Sequence, residues 1–390
     1  MRRTSMRILQ VSHAYPPTFG GVESHVHDLA HNLAGRGHDI LCLVGGVDDG
    51  ASGRPLSEVQ VAHSSTLTVQ SLLGVEREGP ASVSAARERY LHHLDSIADN
   101  FRPDLVHMHN AHHFSSMPAT ATLSRFDVPC VNTVHDRAGE HIFAEVLDLQ
   151  WAHTLYVSEY VAEALPSSSP NSMIWLGIDL GSYTPTGATD TRFSALDGPV
   201  IFHPARMLEW KGLHVSVKAL AVLRRRGITA SLVLCGSTNI VDDPAQLYAY
   251  RSTLEGIIAD LDLGDFVHFM DFERGRMADA YRASDLVWYP TIEPEPLGLA
   301  PIEAMATGTP VVVSDVGGMR ETVRNEQSGL LVRAGDEEAL ADASVRVLSD
   351  QKLRDQLRLG GLRRSQAFDL DLYVDSIERL YKELTGAKRK

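Results

Sequence analysis

Tyr289-Pro-Thr-Ile-Glu-Pro-Glu-Pro-Leu-Gly-Leu-Ala-Pro-Ile-Glu-Ala-Met-Ala-Thr-Gly-Thr-Pro-Val-Val-Val313 leaves an apolar strand, Asp285 to Tyr289, and crosses a proline-broken acidic loop. It then enters a helix near Leu299 and ends in a second apolar strand, Val311 to Val313. Pro301 falls in the first helical turn, where its missing N–H costs nothing. Gly298 lets the backbone come close to whatever lies at the helix start. The unpaired N–H groups there carry partial positive charge and favour an anion. Glu295 stands before the turn and Glu303 one turn inside. Carboxylates repel phosphate but accept hydrogen bonds from hydroxyls. Amides for a phosphate between acceptors for sugar hydroxyls outline a site for a sugar nucleotide.

The same alternation continues on both sides of this stretch. Before it come strand Val200–His203, helix 212–226, strand Ser231–Cys235, helix 245–262, strand Phe266–Met270 and helix 274–283. After it come a short element near Leu330–Val332 and helices 336–349 and 351–366. At the other end, strand Arg7–Ser12 feeds the loop His13–Gly21. Val22, Val26, Leu29, Ala30, Leu33 and Ala34 then recur at helical spacing before strand Asp39–Val44. Strand, glycine loop, helix, strand implies a parallel sheet with a right-handed crossover. Helix Ala81–Phe101 and strands Asp104–Met108, Val128–Val134, Leu155–Ser158 and Met173–Trp175 extend it. Residues 45–80 carry only weak strand signals. Leu180–Gly198 is rich in Gly, Thr, Ser and Pro and reads as a linker, placed at 185–197. The expected fold is α/β, with two doubly wound Rossmann-like domains, 1–184 and 198–368, facing a cleft. A last amphipathic helix within 370–390 has no strand to serve in the second sheet and is expected to cross back to the first domain.

Bulk properties narrow the function. A chain of 390 residues exceeds one comfortable core. Its formal charge of −14 argues against nonspecific binding to nucleic acid or anionic membrane. No apolar run reaches membrane-spanning length, so stable membrane insertion is not expected. The start of the chain lacks the apolar core of a signal peptide. Cys42, Cys130 and Cys235 each lie in an apolar strand and read as core residues of a reducing, cytoplasmic compartment. The oligomeric state is not legible.

Other polar groups fall at strand ends. His203-Pro-Ala-Arg206-Met-Leu-Glu-Trp-Lys211-Gly212 leaves a strand and enters a helix, where open α/β sheets bind ligands. Arg206 offers a planar fork and Lys211 a point charge, both suited to a diphosphate; ordinary solvated charges are the plainer alternative. Gly20-Gly21 permits close backbone approach to a ligand, or serves only the turn. It is not a GxGxxG sequence, so a dehydrogenase is disfavoured. His135-Asp136 follows a strand directly and is placed to meet a ligand, with helix capping the alternative for Asp136. His107, His109, His112 and His113 resemble a metal box, but no carboxylate or cysteine completes the set. His109 and His112 read better as residues lining a ligand site, and no metal ligands are assigned.

In combination, Glu295-Pro-Leu-Gly-Leu-Ala-Pro-Ile-Glu303-Ala-Met-Ala-Thr-Gly-Thr-Pro-Val-Val-Val resembles the signature of the retaining glycosyltransferases of family 4 (glycosyltransferase group 1), which have the GT-B fold. The Gly20-Gly21-Val-Glu23 loop, Thr133-Val-His135-Asp136, Arg206 with Lys211-Gly212, and Ala283-Ser-Asp285 fall in the order that family shows. The resemblance implies that Glu303 holds the ribose hydroxyls and Glu295 those of the transferred sugar. Arg206 and Lys211 would neutralise the diphosphate, helped by amides near Gly298–Leu299 and Gly21. Gly20, Gly236, Phe272 and Leu297 join the donor side. His135 would lie by the donor sugar's 6-position and the acceptor, with His109, His112 and Asp136 on the acceptor side. Three positions depart from the pattern. Leu297 replaces the usual Phe, Trp175-Leu-Gly-Ile-Asp179 replaces Pro-Asn-Gly-Val-Asp, and Asp271 replaces a glycine near the base.

The resemblance therefore implies a hexosyltransferase (EC 2.4) that uses a nucleoside-diphosphate sugar of UDP or GDP type, retains anomeric configuration by front-face attack and requires no metal. Asp260/Asp262 and Asp369/Asp371 spell DxD, the pattern of some metal-dependent transferases, but both abut helix ends and read as caps. Helix residues Glu23-Ser-His-Val-His-Asp-Leu-Ala-His-Asn32 lack the basic residues of lipid-acceptor members, which favours a small soluble acceptor such as an aminocyclitol, a thiol or a natural product. A membrane-lipid or polysaccharide transferase of the same family, and a GT-B sugar-nucleotide epimerase, are the alternatives.

Overall fold

The computed structural model describes residues 5–13, 15–16, 20–46, 59–137, 142–235 and 244–387. The chain divides into two compact units, Met1–Trp175 with Asp371–Lys390, and Leu176–Leu370.

In the first unit the elements run β1 (Arg7–Ser12), α1 (Gly21–Gly35), β2 (Asp39–Gly45), β3 (Val59–Ser64), α2 (Val69–Glu78), α3 (Pro80–Asn100), β4 (Leu105–His109), α4 (Met117–Arg125), β5 (Cys130–Val134), β6 (His153–Tyr156), α5 (Glu159–Ala164) and β7 (Asn171–Met173). They build a parallel sheet of order β3-β2-β1-β4-β5-β6-β7. Its two faces differ in kind, because strand side chains alternate. Leu9, Val11, Leu43, Val106 and Met108 pack into an apolar core with Tyr90 and Leu94 of α3. The opposite face carries Gln10, His107, His109 and Thr133, all buried.

That polar face is met by α1 and by the last helix, α13 (Leu370–Ala387), which belongs to the first unit from Asp371 onward. Tyr381 reaches His107 Nδ1 at 2.5 Å and Tyr373 reaches His25 Nε2 at 3.0 Å. Arg36 binds Asp371 at 3.0 Å, Glu378 at 3.4 Å and also Asp375. The helix thus crosses back as expected.

Between positions 45 and 80, where the sequence offers little pattern, the structure adds β3 on the sheet edge and α2. The Thr68 hydroxyl caps α2 by accepting from Ser71 N at 3.2 Å.

The second unit runs β8 (Val200–His203), α6 (Leu213–Arg225), β9 (Ser231–Cys235), α7 (Pro244–Asp260), β10 (Val267–Met270), α8 (Met277–Ala283), β11 (Leu286–Tyr289), α9 (Leu299–Ala306), β12 (Val311–Ser314), α10 (Met319–Thr322), β13 (Leu330–Val332), α11 (Glu337–Ser349) and α12 (Gln351–Ser365). All strands are parallel, in the order β10-β9-β8-β11-β12-β13. In both sheets the order reverses beside the first strand, at β1/β4 and β8/β11. Loops leaving neighbouring strands there diverge and open a crevice at the carboxyl ends.

The stretch expected as a linker, 185–197, is mostly exposed and lies within the second unit, held to it at two buried positions. Phe193 is buried against Phe202, and Asp190 N donates to Asp279 O at 3.1 Å. The chain changes units at Trp175/Leu176, with Ile178 hydrogen-bonded to Phe368 and Leu370. A buried aromatic and backbone hydrogen bonds, with Arg282 Nε donating to Ala188 O at 2.7 Å, tie down a segment that has no periodicity of its own.

Candidate active site

The crevice end of the second sheet gathers four of the residues singled out by sequence around Tyr289, the last residue of β11. Lys211 Nζ donates to Glu295 Oε2 at 2.5 Å and to the Tyr289 hydroxyl at 2.8 Å. It also lies 3.9 Å from the centroid of Trp210. The Lys211 and Glu295 side chains are only 7% and 12% exposed, so the pair is largely removed from water. A desolvated ammonium needs such a partner, because an unpaired buried charge is strongly destabilising. Burial pushes the Tyr289 hydroxyl well above the usual tyrosine range, with Glu295 and Glu303 raising it further and Arg206 opposing them. Arg206, Lys211, Glu295 and Glu303 therefore act on one hydroxyl.

Local structure explains this convergence. The loop after β8 ends in a short turn, Glu209–Lys211, and Gly212 follows with φ +76°. A Cβ on Gly212 would lie 2.1 Å from Pro290 O, so only glycine lets this loop close onto the end of β11. Ile292 N and the Thr291 hydroxyl then donate to Trp210 O at 2.8 and 2.9 Å. Those bonds clamp the loop of Lys211 to the loop of Glu295. Gly298, φ +85°, begins α9; its missing Cβ would meet Met319 Cε at 1.8 Å. Gly318 N donates to Glu295 O at 2.8 Å and supports the acidic loop from behind. Glu303, inside α9, accepts from the Tyr281 hydroxyl at 2.8 Å. Leu299 is half-buried at the helix start, whereas Leu297 is buried.

Phe272, assigned to the donor side, has its ring in the core instead. It packs edge-on to Phe202 at 5.2 Å and Phe193 at 6.1 Å, with Arg192 above it at 4.8 Å. Gly236 lies outside the described residues.

In the first unit, Gly20 precedes and Gly21 begins α1, whose Ser24 N donates to Gly20 O at 3.1 Å. His135 follows β5, is 4% exposed, and donates its backbone N–H to Asn110 Oδ1 at 2.7 Å. Its Nε2 meets His109 Nδ1 at 3.0 Å. His112 Nε2 donates to Asp136 O at 2.9 Å, and Asp136 Oδ1 accepts from Arg137 N. Residues 138–141, which bear on the capping alternative for Asp136, lie outside the described residues. Burial, reinforced by neighbouring histidines, holds His109 and His135 well below the ordinary imidazole value, and burial takes His112 down to about 3. This edge is neutral where the other is charged.

Sequence reading missed Tyr289, Tyr281, Asn110 and His25. His25 shares the face of α1 that carries Val22, Val26 and Leu29, and a polar residue on an apolar stripe was the available signal.

Comparison with known proteins agrees with this geometry. Residues 19–181 match the family described as Glycosyltransferase Family 4, and residues 190–362 match Glycosyl transferases group 1. The chain belongs to this family of group 1, family 4 glycosyltransferases and is a glycosyltransferase. A glycogen synthase of Mycobacterium tuberculosis is 29% identical across 94% of this chain and 91% of its own length. A D-inositol 3-phosphate glycosyltransferase of a Nocardioides strain is 27% identical across 94% and 87%. Among solved structures, Anabaena HepE in complex with UDP-glucose superposes with a TM-score of 0.75 at 21% identity, covering 97% of this chain and 100% of that one. The fold is GT-B.

Proposed function

We propose that this glycosyltransferase moves a hexosyl group from a nucleoside-diphosphate sugar to a small, polar, soluble acceptor, with retention at the anomeric carbon and no metal in the reaction. The observation that carries the reading is the Lys211–Glu295 pair on Tyr289, with Arg206 and Glu303 beside it at the carboxyl edge of the second sheet.

When the C1–O bond of the donor breaks, negative charge grows on the leaving diphosphate. Lys211 and Arg206 meet charge that is larger in the transition state than in the ground state, which is what accelerates the step. Amides at the start of α9 contribute in the same sense. Glu295, paired with Lys211 before the donor arrives, keeps the ammonium charged and in position. It also offers its other oxygen to hydroxyls of the transferred sugar. Glu303 takes the ribose hydroxyls, oriented by Tyr281. An acceptor oxygen then bonds to C1 on the face the diphosphate leaves, and its proton passes to a diphosphate oxygen. His135 serves the acceptor side as a neutral imidazole able to exchange hydrogen bonds with hydroxyls. The solved HepE complex makes UDP-glucose the first donor to try.

The small soluble acceptor is supported by α1. Its outward residues include Glu23, Ser24, Asp28 and Asn32, and the first cation after it, Arg36, is already bound to Asp371, Asp375 and Glu378. The relative named for D-inositol 3-phosphate points the same way. No helix among the described residues is long and apolar enough to cross a membrane.

The test is incubation with UDP- and GDP-hexoses and a panel of cyclitol, thiol and sugar acceptors, read by proton NMR of the anomeric signal. An α-linked product from an α-linked donor with release of nucleoside diphosphate is expected, with chelator present. An inverted product would refute retention, and activity only on lipid-presented acceptors would refute the acceptor class.

A further inference from the structure

On the polar face of the first unit's sheet, His25, His109 and His135 converge from α1, the end of β4 and the end of β5. One ring nitrogen of each lies within 4.8 Å of one from each of the other two, and all three residues are buried. The rings form a compact set, with centroids 5.2 Å apart for His25–His135 and for His109–His135, and 6.1 Å apart for His25–His109.

Hydrogen bonding leaves this set unfinished. A neutral imidazole has one donor and one lone pair. The set makes the His109 Nδ1–His135 Nε2 contact at 3.0 Å and the His25 Nε2–Tyr373 contact at 3.0 Å. His25 Nδ1, His109 Nε2 and His135 Nδ1 are buried without a partner. Buried polar groups are normally satisfied, so a cluster with three unpartnered ring nitrogens marks a place where a further group can complete the set.

We propose that His25, His109 and His135 form a three-imidazole site for a divalent transition-metal ion of zinc type, whose occupation inhibits the transferase. Neutral imidazoles suit such ions, and three with an open fourth position are a recurring zinc set. Zinc–nitrogen bonds of about 2.0–2.1 Å put tetrahedral ligand atoms about 3.3 Å apart. One ring nitrogen of each histidine already lies within 4.8 Å of the others, so closing the set to that spacing needs shifts of at most about 1.5 Å. Tyr373 then orients His25 from outside, as second-shell partners do. Inhibition follows because a metal-bound His135 cannot exchange hydrogen bonds with an acceptor. That consequence alone rests on the acceptor-side role given to His135.

Full-length, chelator-stripped protein titrated with Co²⁺ should take up one equivalent with strong visible d–d bands. X-ray absorption of the zinc-loaded wild type should show three imidazole ligands, a measurement that depends on no variant. His25→Ala and His109→Ala should each weaken Zn²⁺ at least about 100-fold, beyond the range for losing an outer-shell partner. His31→Ala removes the ring stacked on His27 at 4.0 Å on the outside of α1 and should leave the bands intact. Fewer than three imidazoles, or bands lost with His31→Ala but kept in His25→Ala, would overturn the site. One equivalent of Zn²⁺ should abolish turnover reversibly in the wild type, while His25→Ala, measured against its own metal-free rate, resists it. Zinc binding without inhibition would refute the role of His135 and leave the site standing; inhibition that persists in His25→Ala would assign it elsewhere.

Discussion

Each unit ends its sheet in a crevice at the same topological position, beside the first strand, yet the two edges are built from opposite chemistry. The second unit places full charges there, Lys211 against Glu295, and satisfies them with each other and with tyrosine hydroxyls. The first unit places imidazoles, which burial keeps uncharged. The difference matches what each edge meets in the proposed reaction. A departing diphosphate needs fixed positive charge, whereas an acceptor hydroxyl needs a partner that can donate or accept.

The comparison breaks first at Lys211. Lys211→Ala removes the charge-stabilising contact and should lower turnover by roughly 10²–10³ at saturating donor. Near-normal turnover in a steady-state assay would mean that the charged edge is not where the diphosphate leaves. Glu295→Ala should fall in the same range and also lower thermal stability, by about 3–5 kcal/mol, since the buried Lys211 ammonium loses its carboxylate.

The neutral edge has its own signature in pH. Burial lowers His13, His25 and His113 to about 4 and His107 and His112 to about 3, and holds His109 and His135 well below the ordinary imidazole value of 6.5. Between those values and 6.5 the unfolded chain binds more protons than the folded one, so stability rises with pH. It is fully present above 6.5 and is lost as pH falls towards about 4. Hydrogen exchange at about pH 5 against about pH 7.5 should show the first unit opening before the second, where burial lowers His203 to about 3. Equal acid sensitivity of both units would erase the contrast.

The smallest effect is expected at Tyr281→Phe. Loss of its 2.8 Å bond to Glu303 should weaken nucleoside diphosphate by about fivefold, the size of one net hydrogen bond, with turnover at saturating donor unchanged. A calorimetric titration of UDP checks this, and an unchanged affinity would remove Glu303 from the ribose.

How much of this was legible follows from where the chemistry lies along the chain. Lys211 and Glu295 sit in loops directly after strands whose apolar runs are clear, so strand ends pointed to them. Their contact, across 84 positions, depends on Gly212 closing onto Pro290, which no local pattern announces. The histidines of β4 and β5 were visible as a cluster. The third member of the metal-capable set, His25, lies on a helix that the sheet order alone brings over that face. That the Phe272 ring packs into the core was not legible, because an aromatic near a strand end looks alike whether it faces a ligand or a core. Residues 185–197 have no periodicity, so the sequence could not show that single buried anchors such as Phe193 tie this mostly exposed stretch to the second unit.

Periodicity and punctuation by glycine and proline, which act over a few residues, determined two parallel α/β sheets, the returning helix and the signature loop. Only the tertiary structure decided which polar groups meet: the Lys211 ammonium with the Glu295 carboxylate, Glu303 with Tyr281, and three imidazoles with one another. Those pairings are set by sheet order and by close backbone approach between segments far apart in the chain, and a sequence records neither directly.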